Sequence, residues 1–186
     1  MSFWPFKIDK QQDYAYLMDA FTDDECDKII KYGNSKELVV GAPTSDKIRK
    51  SMINFIEPNE DFDWVYMKLT DIIDYLNNDY FNFDLLGFGE NIQFTKYEAP
   101  TGHYSWHRDK FLQKKIRKLS IVVQLSNEDD YIGGDLELKF GDEPDKMIRK
   151  RGTILCFPSH VLHRVTPVTE GTRYSLVAWV TGPQFK

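Results

Sequence analysis

The chain has 186 residues, a size that fits one domain with a substantial buried core. Aromatic residues make up 15% of it, so rings must fill much of that core. The formal net charge is −5, and the basic run at 114–118 is interpreted as a solvated turn that enters a strand. This charge distribution argues against a nucleic-acid partner.

No apolar segment reaches the length of a bilayer, and the N-terminus lacks a charged stretch followed by an apolar run. The two cysteines, Cys26 and Cys156, lie in apolar surroundings without paired spacing. That usage is typical of buried thiols in a reducing compartment. We therefore expect a soluble, cytoplasmic protein with no membrane partner.

Two helices are predicted in the N-terminal part. Thr22-Asp23-Asp24-Glu25 has the form of a capping box, and Gly33 stands where a C′ residue would end the short helix that follows. A longer helix begins after Pro58, and its apolar face must cover one side of a sheet. The residues on this face are Phe62, Val65, Leu69, Ile72, Ile73 and Leu76.

Most of the remaining chain predicts β-strands. Short strands are expected at 38–40 and 52–56, with a mobile loop at 41–50 between them. From Glu90 onward, short apolar or alternating segments are separated by turn residues, which favours a double-sheet jelly roll or barrel. The expected strands are 91–98, 103–109, 119–125, 136–140, 153–157, 161–165 and 174–180. The whole is a mostly β single domain over 1–186, with a helical part at about 1–85 and a jelly-roll core at about 90–182.

A candidate metal site lies at His107, Asp109 and His163. Residues i and i+2 of a strand point to the same face, so His107 and Asp109 can reach one ion while Arg108 faces away. Two histidines and one carboxylate form the facial triad of non-haem iron(II) sites, which leaves coordination positions open. The alternatives are a surface histidine beside a solvated aspartate and, for His163, a satisfied core histidine.

Arg173 lies in a segment that is predicted to be a buried strand, where an unpaired cation is costly. A dicarboxylate would meet its guanidinium with bidentate geometry, and Ser175 shares its face and can add a hydroxyl. The alternative is a salt bridge to a distant aspartate or glutamate.

Together these residues resemble a known signature. His107-x-Asp109, His163 and, ten residues later, Arg173 are similar to the signature of the 2-oxoglutarate and iron(II)-dependent dioxygenases. The likeness is to the prolyl 4-hydroxylase-like branch, which includes the bacterial PKHD-type hydroxylases. Supporting stretches are 93–97, 106–109, 117–120, 133–136, 157–168 and 171–176, and the resemblance covers about residues 49–183.

The resemblance implies a double-stranded β-helix of the jelly-roll or cupin-like type, flanked by helices. It also implies that His107, Asp109 and His163 are the catalytic metal ligands for Fe(II), and that Arg173 binds the co-substrate 2-oxoglutarate. Tyr97 stands ten residues before the first ligand, where prolyl hydroxylases place a tyrosine that contacts the co-substrate. O2 is the oxidant, and ascorbate is the expected reductant for iron that has become oxidised.

The implied reaction is hydroxylation of an unactivated C–H bond, with release of succinate and CO2. The branch points to a prolyl residue in a protein or peptide. Tyr104, Trp106 and Trp179, with the loop at 41–50, would then form a groove for an extended peptide. The alternative for these residues is core packing beside a plain surface loop.

Two departures from the family pattern stand out. PKHD-type chains usually continue beyond the catalytic sandwich, whereas this sequence stops at Lys186, so the oligomeric state stays open. A strand position that carries a second oxoglutarate-binding tyrosine in some animal prolyl hydroxylases corresponds here to Val123.

Three other functions are possible, and each predicts a feature that distinguishes it from a prolyl hydroxylase. A small-molecule or free amino-acid hydroxylase would use the same site behind a closed pocket. A nucleic-acid demethylase of this superfamily would carry an arginine where Trp179 stands, six residues after Arg173. A catalytically inert jelly-roll binding module would have no need for the full set of ligands and Arg173.

Overall fold

The computed structural model of the protein describes residues 12–42, 45–109, 111–112 and 115–184. Within these ranges the helices are α1 (Asp23–Asn34), α2 (Asp63–Leu76) and a π-helical turn at Asn77–Phe81. The strands are β1 (Ala15–Leu17), β2 (Val39–Val40), β3 (Arg49–Lys50), β4 (Met52–Ile56), β5 (Gly87–Phe88), β6 (Ile92–Glu98), β7 (Gly102–His107), β8 (Phe111–Leu112), β9 (Lys115–Gln124), β10 (Tyr131–Gly133), β11 (Leu136–Lys139), β12 (Asp145–Lys146), β13 (Ile154–Pro158) and β14 (Leu162–Gly182).

These strands form two antiparallel layers that share β14. The larger sheet has the order β1-β13-β9-β14-β6-β4-β2. The smaller layer contains β12, β11, the first part of β14, β7 and β3. The predicted jelly roll, mostly β and flanked by helices, is confirmed.

The sequence predicted two strands, at 161–165 and 174–180, where the structure has one. β14 pairs with β7 and β11 near its start, and from Thr172 onward it pairs with β6 and β9. Register shifts near Val165 and Val168 and a positive φ of 71° at Gly171 bend the strand from one sheet into the other. The interruption seen in the sequence is therefore a bend within a continuous strand.

Helix α1 begins as predicted, since Thr22 and Glu25 form both hydrogen bonds of the capping box. The prediction that Gly33 ends the helix is wrong, because α1 continues to Asn34 and is capped by Ser35. A Cβ on Gly33 would lie 2.5 Å from the ring of Phe94. The glycine therefore allows the helix to approach the sheet closely.

The two faces of the larger sheet pack against different layers. Helices α1 and α2 cover one face with an apolar core that includes Phe62, Leu69, Phe94, Ile121 and Leu176. A smaller cluster, which includes Tyr97, Val122, Leu138 and Phe157, lies between the sheets. The candidate site opens beside this second cluster.

The predicted loop at 41–50 includes Pro43 and Thr44, which lie outside the described residues. Its last two residues form β3, which pairs Arg49 with Tyr104 of β7. Cys26 and Cys156 are buried free thiols, as predicted. None of the described helices has the length and apolar character needed to span a membrane.

Candidate active site

A cavity of about 390 Å³ lies between the two sheets, within the range of small-molecule sites. Its wall contains His107, Asp109 and His163 together with Arg173, Tyr97 and Ser175. With Val122 of β9, residues from β6, β7 and β14 therefore meet at one place, although Tyr97 and Ser175 are distant in the sequence.

His107, Asp109 and His163 form the centre of this cavity. Their ligand-type atoms all lie within 4.8 Å of one another. Nε2 of His107 is 3.7 Å from Oδ1 of Asp109, and Nε2 of His163 is 3.4 Å from Oδ2. β7 ends at His107, earlier than predicted, and Asp109 is fixed beyond it by a backbone N–H bond to the carbonyl oxygen of Ser159 at 2.9 Å.

Both histidines present Nε2 to the centre for the same reason. Nδ1 of His107 lies 2.8 Å from the carbonyl oxygen of Ser105, and Nδ1 of His163 lies 2.9 Å from that of Val161. A carbonyl accepts, so Nδ1 carries the proton and the lone pair of Nε2 is free. Burial, with a further contribution from His163, lowers the pKa of His107 to about 4. The ring is therefore neutral near pH 7, as a metal ligand must be.

Asp109 is held by two donors on its Oδ2. Trp179 Nε1 donates at 2.8 Å and Ser120 Oγ at 2.9 Å, and Ser120 also bonds to the hydroxyl of Ser159 at 2.9 Å. Trp179 and Ser120 are opposite each other on β14 and β9. Burial would raise the pKa of Asp109, but His163, His107 and the Trp179 bond outweigh it and lower that pKa. The group is a carboxylate with Oδ1 left for an ion.

Arg173 is the largest fully buried side chain in the described part of the chain, at 1% exposure. Its Nη2 donates to Gln124 Oε1 at 2.8 Å and its Nη1 to Ser175 Oγ at 3.4 Å, while its Nε has no partner. No described carboxylate lies within 4.0 Å of it, which disfavours the alternative of a distant salt bridge. A buried guanidinium with these contacts fits an incoming carboxylate.

Tyr97 and the pair Arg117–Glu90 also line the cavity. Burial raises the pKa of Tyr97, so its phenol stays neutral and can donate a hydrogen bond. Arg117 donates from Nε and Nη2 to the two oxygens of Glu90 at 2.7 and 2.5 Å. Its guanidinium stacks 3.9 Å from the ring of Trp179, which ties the pair to the residue that holds Asp109.

The structure brings together eight of the nine predicted site residues. Tyr104 and Trp179 line the cavity with the six already described, whereas Trp106 is not among its lining residues. His163 of β14 pairs with His107 of β7, and Val165 pairs with Tyr104. The two pairs are two residues apart on β14 but three residues apart on β7, so β7 contains a β-bulge between them. This bulge lets Tyr104, three residues before His107, face the cavity as well. Trp106 is adjacent to His107 and therefore points away from the cavity, where Arg164 stacks 4.6 Å from its ring.

Val123, which the sequence placed at the position of a second oxoglutarate-binding tyrosine, is not among the residues that line the cavity. Val122 lines the cavity, while Val123 packs in the helix-facing core. Ser120 and Gln124, on the same face of β9 as Val122, were missed by sequence reasoning. Their signal was present, because they are the polar residues of the otherwise apolar segment 119–125.

Three comparisons with known proteins bear on this arrangement. Residues 92–181 match the family model of the 2OG-Fe(II) oxygenase superfamily. A PKHD-type hydroxylase of Synechococcus sp. (strain CC9605) is 43% identical over 79 residues, which are 41% of this chain and 36% of that protein. A PKHD-type hydroxylase of Idiomarina loihiensis is 37% identical over 79 residues, 42% of this chain and 36% of that protein. The alignments thus span about a third of the length of these curated relatives.

Solved structures share the fold. A Pseudomonas putida prolyl-4-hydroxylase superposes with a TM-score of 0.75 at 21% identity, covering 92% of this chain and 94% of that one. A prolyl hydroxylase from Trichoplax adhaerens, in complex with a hypoxia inducible factor peptide fragment, superposes with a TM-score of 0.76 at 18% identity. That superposition covers 91% of this chain and 83% of the other.

Proposed function

We propose that this chain, whose residues 92–181 match the family model of the 2OG-Fe(II) oxygenase superfamily, hydroxylates an unactivated C–H bond with Fe(II), 2-oxoglutarate and O2. One observation carries the proposal. The three ligand atoms lie in the same cavity as a fully buried arginine that has no described carboxylate partner.

In this proposal each described side chain has a definite task. His107, Asp109 and His163 hold Fe(II), and Arg173 with Ser175 binds the far carboxylate of 2-oxoglutarate. Tyr97 adds a neutral hydroxyl donor to the co-substrate site. When bound, iron and 2-oxoglutarate supply the activation of O2, with succinate and CO2 as co-products.

In this proposal the protein itself holds the ligand side chains in fixed positions and excludes water from the reacting centre. Hydrogen bonds from Nδ1 fix both imidazole rings, and Trp179 with Ser120 fixes the carboxylate before any ion arrives. Preorganised ligands lose little freedom on binding, and an apolar wall that includes Val122 and Val177 keeps the reacting centre dry.

We propose a prolyl residue in a protein or peptide as the substrate. Support comes from the names of the relatives and from an apolar rim at the cavity, where Val39 lies opposite Ile53 on neighbouring strands. Val39 and Phe55 are 51% and 46% exposed, and Phe55 lines the cavity. An extended peptide would bury such a rim, whereas a free amino acid, the alternative substrate, would leave it exposed to water.

Succinate release by the iron-loaded protein with proline-containing peptides tests this function. Succinate should form together with a hydroxylated peptide, ascorbate should sustain turnover, and His163→Ala should abolish both products. His103→Ala is the matched control, since this histidine is on β7 but does not line the cavity. Uncoupled turnover with every peptide would contradict the peptide substrate. Undetectable consumption of 2-oxoglutarate would favour a binding module instead.

We also propose that the protein works in the cytoplasm. The two buried free thiols suit a reducing compartment, where no disulfide is required.

A further inference from the structure

A second buried arginine lies in the wall of the cavity, and the proposed chemistry leaves it without a task. Arg49 is 5% exposed and lines the cavity with His107 and Tyr104. It comes from the short edge strand β3 of the smaller sheet, whereas Arg173 comes from the centre of the larger one. The two guanidinium groups therefore enter from different layers.

The guanidinium of Arg49 is held firmly in place. Its Nε donates to Ser51 Oγ and its Nη1 to the carbonyl oxygen of Ala42, both at 2.8 Å. Its Cζ lies 4.6 Å from the ring centre of Tyr104, which stacks at 3.5 Å on the ring of His107. A Cβ on Gly41 would lie 2.6 Å from Nε of Arg49, so the neighbouring backbone is shaped around this group.

These contacts leave binding capacity. An arginine has five N–H donors, and the described residues engage two of those of Arg49. No described carboxylate lies within 4.0 Å of it, although most other buried or half-buried arginines here, such as Arg117 and Arg164, have one. Neutral partners orient the guanidinium without neutralising it.

The charges in the cavity wall leave that of Arg49 without a counter-charge. The charged side chains in its wall are Arg49, Arg117, Arg173, Glu90 and Asp109. Glu90 pairs with Arg117, and Fe(II) and 2-oxoglutarate together would add no net charge. Since Asp109 and one carboxylate of 2-oxoglutarate would face the iron and the other carboxylate would face Arg173, one positive charge is left over at Arg49. A buried cation without a counter-ion is costly, so a ligand that brings a negative charge is favoured.

We propose that Arg49 binds a carboxylate of the substrate, so that the enzyme acts on a residue that is either C-terminal or next to an acidic side chain. This inference rests on the proposed function and narrows its substrate class. Arg49 stacks on Tyr104, and Tyr104 stacks on the proposed metal ligand His107. Only the ring of Tyr104 therefore separates the guanidinium that would bind the anion from this ligand. A carboxylate at Arg49 therefore holds the reacting carbon close to the iron.

Calorimetry on the anaerobic protein loaded with Fe(II) and 2-oxoglutarate tests the proposal with two matched probe pairs. N-acetylproline and N-acetylprolinamide differ only in a carboxylate on the ring carbon. Acetyl-Asp-Pro-amide and acetyl-Asn-Pro-amide differ only in a neighbouring side chain. Because a hydrogen bond to a charged group contributes about 1.5–3 kcal/mol, the acidic member of one pair should bind roughly 10- to 100-fold more tightly.

Two variants separate recognition from folding. Arg49→Gln should remove the preference for the acidic probe while Fe(II) and 2-oxoglutarate still bind. Ser51→Ala loses the bond to Nε but keeps the cation, so the preference should remain.

Three results would overturn the inference. They are equal binding within both pairs, no saturable binding of either acidic probe, and a preference that survives in Arg49→Gln. If Fe(II) and 2-oxoglutarate themselves fail to bind, the proposed function falls as well, so the two failures are distinguishable.

Discussion

The two faces of the larger sheet carry opposite chemistry on the same strands. On β14, Leu176, Ala178 and Val180 face the helices and join the apolar core. The alternate residues Arg173, Ser175, Val177 and Trp179 line the cavity. β9 repeats the pattern, with Leu119, Ile121 and Val123 towards the helices and Ser120, Val122 and Gln124 towards the site.

This difference shows how stability and chemistry are divided within one sheet. The helix-facing residues bury apolar surface, and they hold the strands in register. The site-facing residues bury polar groups that are costly unless they are paired or bind a ligand. Because the register of the strands is fixed, the site-facing residues form a preorganised site. Substitutions on one face should therefore test that face without disturbing the other.

The largest expected effect is a difference in stability between alanine variants of Leu176 and Ser175, which are adjacent residues on opposite faces of the sheet. Leu176→Ala leaves a cavity in the helix-facing core and should lower the free energy of unfolding by about 2–5 kcal/mol. Ser175→Ala should lower it by about 1 kcal/mol or less, because it loses only a 3.4 Å hydrogen bond. Urea denaturation of both variants measures the contrast, and equal losses would contradict the division between the faces.

Arg173→Leu should have the next largest effect, on ligand binding rather than on folding. The affinity for 2-oxoglutarate should fall about 100-fold or more, since a buried charge pair is lost. The free energy of unfolding of the metal-free protein should stay the same or rise, because an uncompensated buried cation is removed. Arg164→Leu is the control on the same strand, since this arginine pairs with Glu137 and does not line the cavity. A large loss of stability without a loss of affinity would assign Arg173 to the core.

Trp179→Phe should weaken metal binding by about 10- to 100-fold, the usual effect of removing a hydrogen bond to a metal ligand. The ring still fills the space, but the 2.8 Å bond to Oδ2 of Asp109 is lost. Calorimetric titration with Mn(II) measures the change. Trp64→Phe, on the helix side of the sheet, should leave the affinity unaltered.

The smallest effect concerns pH. Burial lowers the pKa of His107 from 6.5 to about 4, so between these values the unfolded chain binds a proton that the folded chain does not. The stability of the metal-free protein should therefore fall as the pH drops from about 6.5 to about 4, by roughly 1–2 kcal/mol after allowance for partial exposure. His107→Gln should show a shallower fall in urea denaturation across this window. An unchanged slope would contradict the assignment.

Much of the division between helix-facing and site-facing residues could be predicted from the sequence. Strand alternation placed Arg173 and Ser175 on one face, and the chemistry of two histidines and one carboxylate selected the three residues whose ligand-type atoms lie within 4.8 Å of one another. Helix positions followed from the capping box at Thr22 and the apolar periodicity after Pro58.

The parts that were missed depend on pairing between distant strands. Ser120 lies opposite Trp179 only because of the register of β9 against β14, and Arg49 reaches the cavity only through the short pairing of β3 with β7. Local patterns carry no information on such long-range registers.

Anaerobic titration of Fe(II) and 2-oxoglutarate into the metal-free protein tests the central claim most directly. A 2-oxoglutarate chelate of iron(II) in this class of site gives a weak visible charge-transfer band. We expect the band to require both ligands, to be weaker in Arg173→Ala and to be absent in His163→Ala. A well-folded, iron-loaded protein that shows no band with 2-oxoglutarate would contradict the account, because the site-facing residues would then not form a chelating centre.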